Sequence, residues 1–526
     1  MKTLSQLILL TGALFVAGCG TRGSENQEPT TQGYQEQHRP QYHFSPDSMW
    51  MNDPNGMVYY QGEYHLFYQH NPFDNVWGPM HWGHAISKDL VHWEHQPVAL
   101  YPDTLGTIYS GSAVVDRDNT SGLGSVENPP MVAIFTYHNP KLQKEGSTRI
   151  ESQGIAFSAD RGRTWSKYHR NPVVENPGIR DFRDPKVIWH IKSKKWIMVL
   201  AAGDRVKFYS SPDLLTWGEL GEFTNENDQD NVWECPDLFP ISIGLEEKWI
   251  LLVSHGGAPN GGSGTLYYVG DFDGNTFRET NLPAGPQWID YGKDNYAGVS
   301  WSGIPAKDGR RIFMGWMSNW EYANQVPTTR WRNAMTLPRE MKLINHEGRY
   351  HVHSTPVREL NSLRRTNIKL EGITFTGIHP LDGVEKLPTS LYELELVFQM
   401  GTETQAEDSV RFGIVLSNER GEQMLVSFDP GNELIRMDRN HSGKIGFSEH
   451  FPGVHSAPWQ IEDGQVRVNA FIDHSSLEIF VDNGSVVMSE ICFPEMPFNR
   501  ISLFSENGTC QLKTGTIYGL VSAWQE

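Results

Sequence analysis

Three acids stand in short motifs that share a proline: Asn52-Asp53-Pro54, Arg183-Asp184-Pro185 and Glu234-Cys235-Pro236. Singly, each is an ordinary turn former, because a carboxylate beside proline commonly accepts from nearby backbone N–H groups. Brought together, they could do chemistry. Carboxyl groups sharing one site can divide the labour: one stays ionised as nucleophile or charge stabiliser, and another holds a proton to deliver. Asp184 and Glu234 lie 131 and 181 residues downstream of Asp53. Whether the three meet depends on the elements that carry them.

Those elements read as strands. From about residue 40 to 343 the chain is a series of short β-like runs broken by Gly, Pro, Asn and Asp, with little of period 3.6. The runs repeat. Ser87-Lys88-Asp89, leading to Trp93, recurs as Ser158-Ala159-Asp160 leading to Trp165, and as Ser211-Pro212-Asp213 leading to Trp217. Asp273-Gly274-Asn275-Thr276-Phe277 is a weaker fourth copy. Each reads as a turn between outer strands, closed by Ser or Asp with an aromatic beneath. Upstream of each copy stands a second repeated element. The three acidic motifs hold that place in three units, and Ser110-Gly111-Ser112 and Tyr296-Ala297-Gly298 hold it in two more. Five units of about four strands predict a five-bladed β-propeller. The first strand of every blade lines the central channel, so Asp53, Asp184 and Glu234 are expected to ring one pocket.

Beyond the propeller, residues 344–364 read as a linker with a short helix near 355–363. Residues 365–526 alternate apolar and polar positions, as in Leu391-Tyr392-Glu393-Leu394-Glu395-Leu396-Val397-Phe398, and predict an antiparallel β-sandwich. The fold class is therefore all-β. The loop from Gly256 to Gly264 lacks the Lys-Ser/Thr ending of a phosphate-binding loop and reads as a strand connection.

Trp50-Met51-Asn52-Asp53-Pro54-Asn55-Gly56, Phe182-Arg183-Asp184-Pro185 and Trp233-Glu234-Cys235-Pro236, in this order and at blade spacing, resemble glycoside hydrolase family 32, which contains invertases, levanases and inulinases. The resemblance runs from about residue 41 to the C-terminus. It implies a propeller followed by a sandwich, no cofactor, and a retaining mechanism. Asp53 would be the nucleophile at the anomeric C2 of a fructosyl unit, Glu234 the general acid/base, and Asp184 the transition-state stabiliser. A retaining pair stands only about 5–5.5 Å apart, so each carboxyl group feels the other. The likeness also implies substrate contacts from Trp50, Asn52, Gln69, Trp77, Tyr109, Ser110, Arg183, Tyr296 and Trp316. Two positions depart from the family's commoner residues: Tyr109 stands where Phe precedes Ser, and Asn295 where Phe precedes Tyr296. Trp77, in Asn71-Pro72-Phe73-Asp74-Asn75-Val76-Trp77-Gly78, resembles the exo-acting members. The expected substrate is thus a fructan (levan or inulin) or fructo-oligosaccharide cut from its end, with sucrose a further candidate. An endo-levanase, or a non-catalytic fructan-binding lipoprotein, are the alternatives. The latter predicts a lost acid, and all three acids are present.

Composition agrees with an exported globular protein. The formal net charge of −19 excludes a nucleic-acid partner on electrostatic grounds. Lys2 and the apolar run from Leu7 to Ala17 form a signal too short to span a bilayer, and Val16-Ala17-Gly18-Cys19 resembles a bacterial lipoprotein cleavage box. Residues 1–19 are expected as that signal, with Cys19 acylated and the protein held on a bacterial membrane, and residues 20–39 as a flexible tether. Of the remaining cysteines, only Cys492 and Cys510 are close in sequence, and their pairing is left open. No CxxC or HExxH metal pattern occurs.

Overall fold

A computed structural model describes residues 34–524 except 227, 229–230, 281–286, 401–409 and 462. Cys19 and the rest of the signal lie outside the described residues.

Five antiparallel sheets, each built around four sequential strands, form the propeller. Their inner strands are β1 (Met49–Tyr60), β2 (Thr107–Val115), β3 (Phe182–His190), β4 (Glu234–Ile243) and β5 (Tyr296–Ser300). Each inner strand packs beside the next, and β5 returns to β1, so the ring closes. The strand Trp331–Arg332 adds itself in parallel to the open edge of β1, with Met49 opposite Trp331, and so brings the end of the propeller back to its beginning.

The repeated turn is built as its sequence implies. Asp89, Asp160 and Asp213 each accept from the Ser hydroxyl two residues earlier, at 3.1, 2.7 and 3.0 Å. The following indole N–H groups of Trp93, Trp165 and Trp217 close the turns on the carbonyls of Leu90, Gly162 and Leu214. Blades are tied across their inner strands by buried polar contacts. Ser112 Oγ on β2 donates to the Pro185 carbonyl on β3 (2.9 Å), and Ser300 N on β5 donates to Asp237 Oδ2 on β4 (2.6 Å).

The C-terminal module is a β-sandwich of ten strands threaded by one long strand, Arg500–Leu520. The first half of that strand pairs with Arg411–Ser417, the second half with Tyr392–Met400, and Arg364–Pro380 runs along its other side. Leu394, Leu396 and Phe398 alternate into the core against Phe412, Ile414 and Leu416. Cys492 and Cys510 are buried free thiols there.

Three expectations need correction. The expected linker at 344–364 contains the end of strand Arg339–His346 and all of Arg349–Pro356, both in the fifth blade's sheet, because Asn345 to Gly348 makes a hairpin turn rather than an exit. The helical turn beyond them is a 3-10 helix, Arg358–Leu363. It is joined by an unanticipated short α-helix, α1 (Pro140–Lys144), capped by Asn139. Residues 34–39, assigned to the tether, are packed: Arg39 is fully buried, pairs with Glu36, and stacks over the Tyr34 and Trp331 rings.

The two modules share a buried ionic seam. Arg339 bridges Asp290 (2.8 Å) and Glu478 (2.6 Å), and His43 lies between Asp473 (2.8 Å) and Glu478 (3.0 Å). The loop after Gly256 does connect two strands, Glu246–Gly256 and Ser263–Phe272, and its Asn260 bonds both ways with the backbone of Ser456 on the sandwich.

Candidate active site

All five inner strands break register near the same mouth of the channel. A bulge falls between Met51 and Pro54 in β1, between Ile108 and Gly111 in β2, at Asp184-Pro185 in β3, at Cys235-Pro236 in β4 and at Ala297-Gly298 in β5. A bulge turns side chains that would alternate away from the channel so that they face into it. Asp184, Cys235 and Ala297 take positive φ there (64°, 45° and 54°), which costs each non-glycine residue about 1–3 kcal/mol. The three acids occupy neighbouring registers of this device: Asp53 and Asp184 within their bulges, and Glu234 just before its own.

The result is one funnel of about 340 Å³ lined by all three carboxylates together with Asn52, Gln69, Trp77, Tyr109, Ser110 and Arg183. Asp53 accepts from Asn52 Nδ2 (2.9 Å) on Oδ1 and from Ser110 Oγ (2.7 Å) on Oδ2. Asp184 Oδ2 accepts from the Cys235 backbone N–H (3.0 Å). Cys235 Sγ lies 3.6 Å from both Asp53 Oδ2 and Asp184 Oδ2, so one thiol touches two of the three acids. Glu234 Oε1 takes two donors from Arg183, Nη2 at 2.9 Å and Nε at 3.2 Å, and Oε2 takes the Tyr296 hydroxyl.

Burial sets the electrostatics. It pushes the carboxyl of Asp53 above the usual aspartate range, opposed by the Ser110 and Asn52 donors and reinforced by the charge of Glu234. Asp184 is also pushed up, first by burial and then by Glu234 and Asp53, against the pull of Arg183. Burial and the surrounding acids raise the Cys235 thiol, which stays neutral.

Not every expected contact residue reaches the cavity wall. Trp50 and Trp316 are fully buried, and the part-buried Trp320 lies between them and the funnel, 6.1 Å and 4.7 Å from their rings. Trp50 acts through Asn52, whose Oδ1 accepts from its indole N–H at 2.7 Å. Tyr296 is buried behind the wall and reaches Glu234 with its hydroxyl alone.

Sequence reasoning missed Glu151, His138, Asp181 and Trp320, which also line the funnel. Glu151 holds the Phe182 N–H (2.7 Å) and faces Arg183 Nη1 (3.3 Å), and Asp181 takes the same nitrogen at 2.7 Å. The His138 ring stacks on Tyr109 at 4.4 Å. Trp320 could have been found, four residues beyond Trp316 in one run. Glu151 and His138 carry no motif.

A model of the glycosyl hydrolases family 32 N-terminal domain matches residues 43–356, and one of the family 32 C-terminal domain matches residues 359–519. The chain belongs to glycoside hydrolase family 32. Among family 32 proteins it is 47% identical to a levanase of Bacillus subtilis (strain 168) over 499 residues, covering 93% of this chain and 72% of that one. It is 37% identical to the extracellular exo-inulinase of Aspergillus awamori, covering 93% of this chain and 96% of the other. The crystal structure of an exo-inulinase from Aspergillus awamori superposes with a TM-score of 0.85 at 34% identity, covering 93% of this chain and all of that one. The family 32 match spans both modules, so the propeller and sandwich described above are a family 32 architecture.

Proposed function

We infer that the protein is an exo-acting, retaining β-fructosidase that removes terminal fructosyl units from levan or inulin, accepts sucrose, and releases fructose. The relatives named levanase and exo-inulinase support the substrate class. The observation that carries the chemistry is the convergence of carboxylates from three blades on one funnel.

The ionised Asp53 attacks C2 of the terminal fructosyl ring. The C2–O bond to the rest of the chain breaks as Glu234 delivers its proton to the departing oxygen. Glu234, now a base, takes a proton from water, whose oxygen attacks C2, and fructose leaves with Asp53 restored. The hydrogen bonds from Ser110 and Asn52, one to each oxygen, favour the anion of Asp53 and hold its carboxylate in place. Asp184, beside both partners, holds fructosyl hydroxyls and faces the positive charge that develops on the ring. Arg183 spans Glu234, Glu151 and Asp181, and offsets part of their charge.

A closed floor supports end-on cleavage. Below the funnel, Lys186 pairs with Asp237 (3.0 Å) and donates to the Ser300 carbonyl (2.6 Å), plugging the channel. A chain end can enter, but a chain interior cannot thread through. Thin-layer chromatography of early levan and inulin digests tests this: fructose alone is expected, and oligomers preceding fructose would overturn the exo reading. Asp53→Ala is expected to release no reducing sugar, and wild-type activity in that variant would end the assignment.

We propose further that the protein is exported and held on a bacterial membrane by acyl chains on Cys19, supported by the Val16-Ala17-Gly18-Cys19 box. Fatty-acid labelling that persists in Cys19→Ser would refute this.

A further inference from the structure

At the end of the channel opposite the funnel, the last residues of β2, β3 and β4 frame a second cavity of about 660 Å³, larger than the funnel itself. β3 runs between the two, with Asp184 at the funnel and Trp189 five residues on at the other mouth. At ~3.3 Å per residue, the two stand roughly 17 Å apart along the strand. The Lys186–Asp237 plug lies between, so neither cavity opens into the other.

The walls of this second mouth are aromatic. The half-buried Trp189 indole meets Trp196 edge-on at 5.0 Å, Trp249 and Phe239 also line the cavity, and Ile191 stands 79% exposed at its edge. The Arg311 guanidinium lies over the Phe239 ring at 4.7 Å. The charges at the cavity balance: Arg117, Lys192 and Arg311 against Asp116, Asp118 and Glu247, with Lys192 and Glu247 paired at 3.0 Å. An ion therefore gains no net attraction. A neutral ring with a C–H face for the indole and hydroxyls for the balanced polar rim suits both features.

We propose that this cavity is a second, non-catalytic saccharide site that holds a segment of a fructan chain while a chain end is processed in the funnel. The proposal rests on the fructan-hydrolase reading above. A chain held at one mouth raises the effective concentration of its ends at the other, a gain that a disaccharide cannot share.

Native electrophoresis through levan, with inulin in a parallel gel, tests the site on wild type, Trp189→Ala and Ile191→Asp. Each protein is first assayed on levan, inulin and sucrose. We expect wild type to be retarded, both variants to be retarded at least fivefold less, and kcat/KM for sucrose to stay within twofold of wild type. Ile191 is almost fully exposed, so its variant retains the fold even if removing the larger indole does not. An unretarded wild type, or an Ile191→Asp protein retarded as strongly as wild type, overturns the second site. A wild type that hydrolyses levan, inulin and sucrose not at all would instead defeat the fructan reading, and that is seen before any gel is run.

Discussion

Arg183 grips Glu234 by one oxygen, Oε1, with Nη2 at 2.9 Å and Nε at 3.2 Å. The other oxygen, Oε2, is left to the Tyr296 hydroxyl. The carboxyl that must give and retake a proton is thus oriented from both sides before substrate arrives, and two residues that do not themselves react decide where its proton points.

Tyr296→Phe keeps the buried ring and frees Oε2. A misaimed proton donor costs on the order of 10²-fold in rate. Steady-state kinetics on sucrose should show kcat falling by about that factor with KM little changed. A rise in KM at constant kcat would assign Tyr296 to substrate binding instead.

Glu234→Gln keeps the shape and removes the proton, so kcat should fall by roughly 10²–10⁴-fold. In wild type, the first-formed anomer of fructose, followed by NMR before mutarotation, should keep the configuration of the substrate. Inversion would mean that Asp53 activates water rather than attacking C2.

Asp184 carries a folded-state cost. Its carboxyl is raised above the ordinary value of 3.8 by burial and by neighbouring acids. A raised acid favours the fold below that ordinary value, and this contribution is lost as pH rises through the folded one. Asp184→Asn never ionises, so at pH 8 it should unfold at higher temperature than wild type, by about 1 °C for each kcal/mol relieved. The advantage should vanish near pH 4 and below. Calorimetry at both pH values checks the crossover, and the variant should be inactive throughout.

At the seam between modules the sign differs in origin. His43 is held between Asp473 and Glu478, whose hydrogen bonds and charges lift its pKa from 6.5 to about 9 against the opposing effect of burial. Its contribution is complete below 6.5 and drains away as pH rises through about 9. Asp473 and Glu478 are both lowered despite burial, by His43 and, for Glu478, by Arg339, so their contribution is lost as pH falls through their folded values. Breaking a buried ion pair costs about 3–5 kcal/mol. His43→Gln should therefore lower Tm at pH 6 by far more than at pH 9.5, and an equal drop at both would show that packing rather than charge holds the seam.

The acids were legible because propeller geometry forces the starts of distant strands together, and because Asp53 and Asp184 precede a proline directly and Glu234 precedes one by two positions, marking such a start. The common bulge was not, since a register slip leaves no residue type behind: Asp184, Cys235 and Ala297 share a conformation and nothing else. Glu151 and His138 reach the funnel from the second and third strands of blade two, where no repeat position marks them. The hairpin at 345–348 was lost in a linker because Asn345, Glu347 and Gly348 read equally well as loop. The tether's last residues were misjudged because Arg39 is charged, and charge predicts exposure unless a partner such as Glu36 and two aromatic faces enclose it.

Met49 on β1 is laid against Trp331, almost three hundred positions later, and this pairing reinforces the closure that β5 makes on β1. On the ribosome the circle stays incomplete until residue 356, the end of the fifth blade's last strand, has been synthesised and cleared the exit tunnel, however early the first blade forms. A nascent chain arrested before that point has its acids in place along the backbone but no funnel to hold them, so the capacity to hydrolyse arrives late in synthesis and all at once.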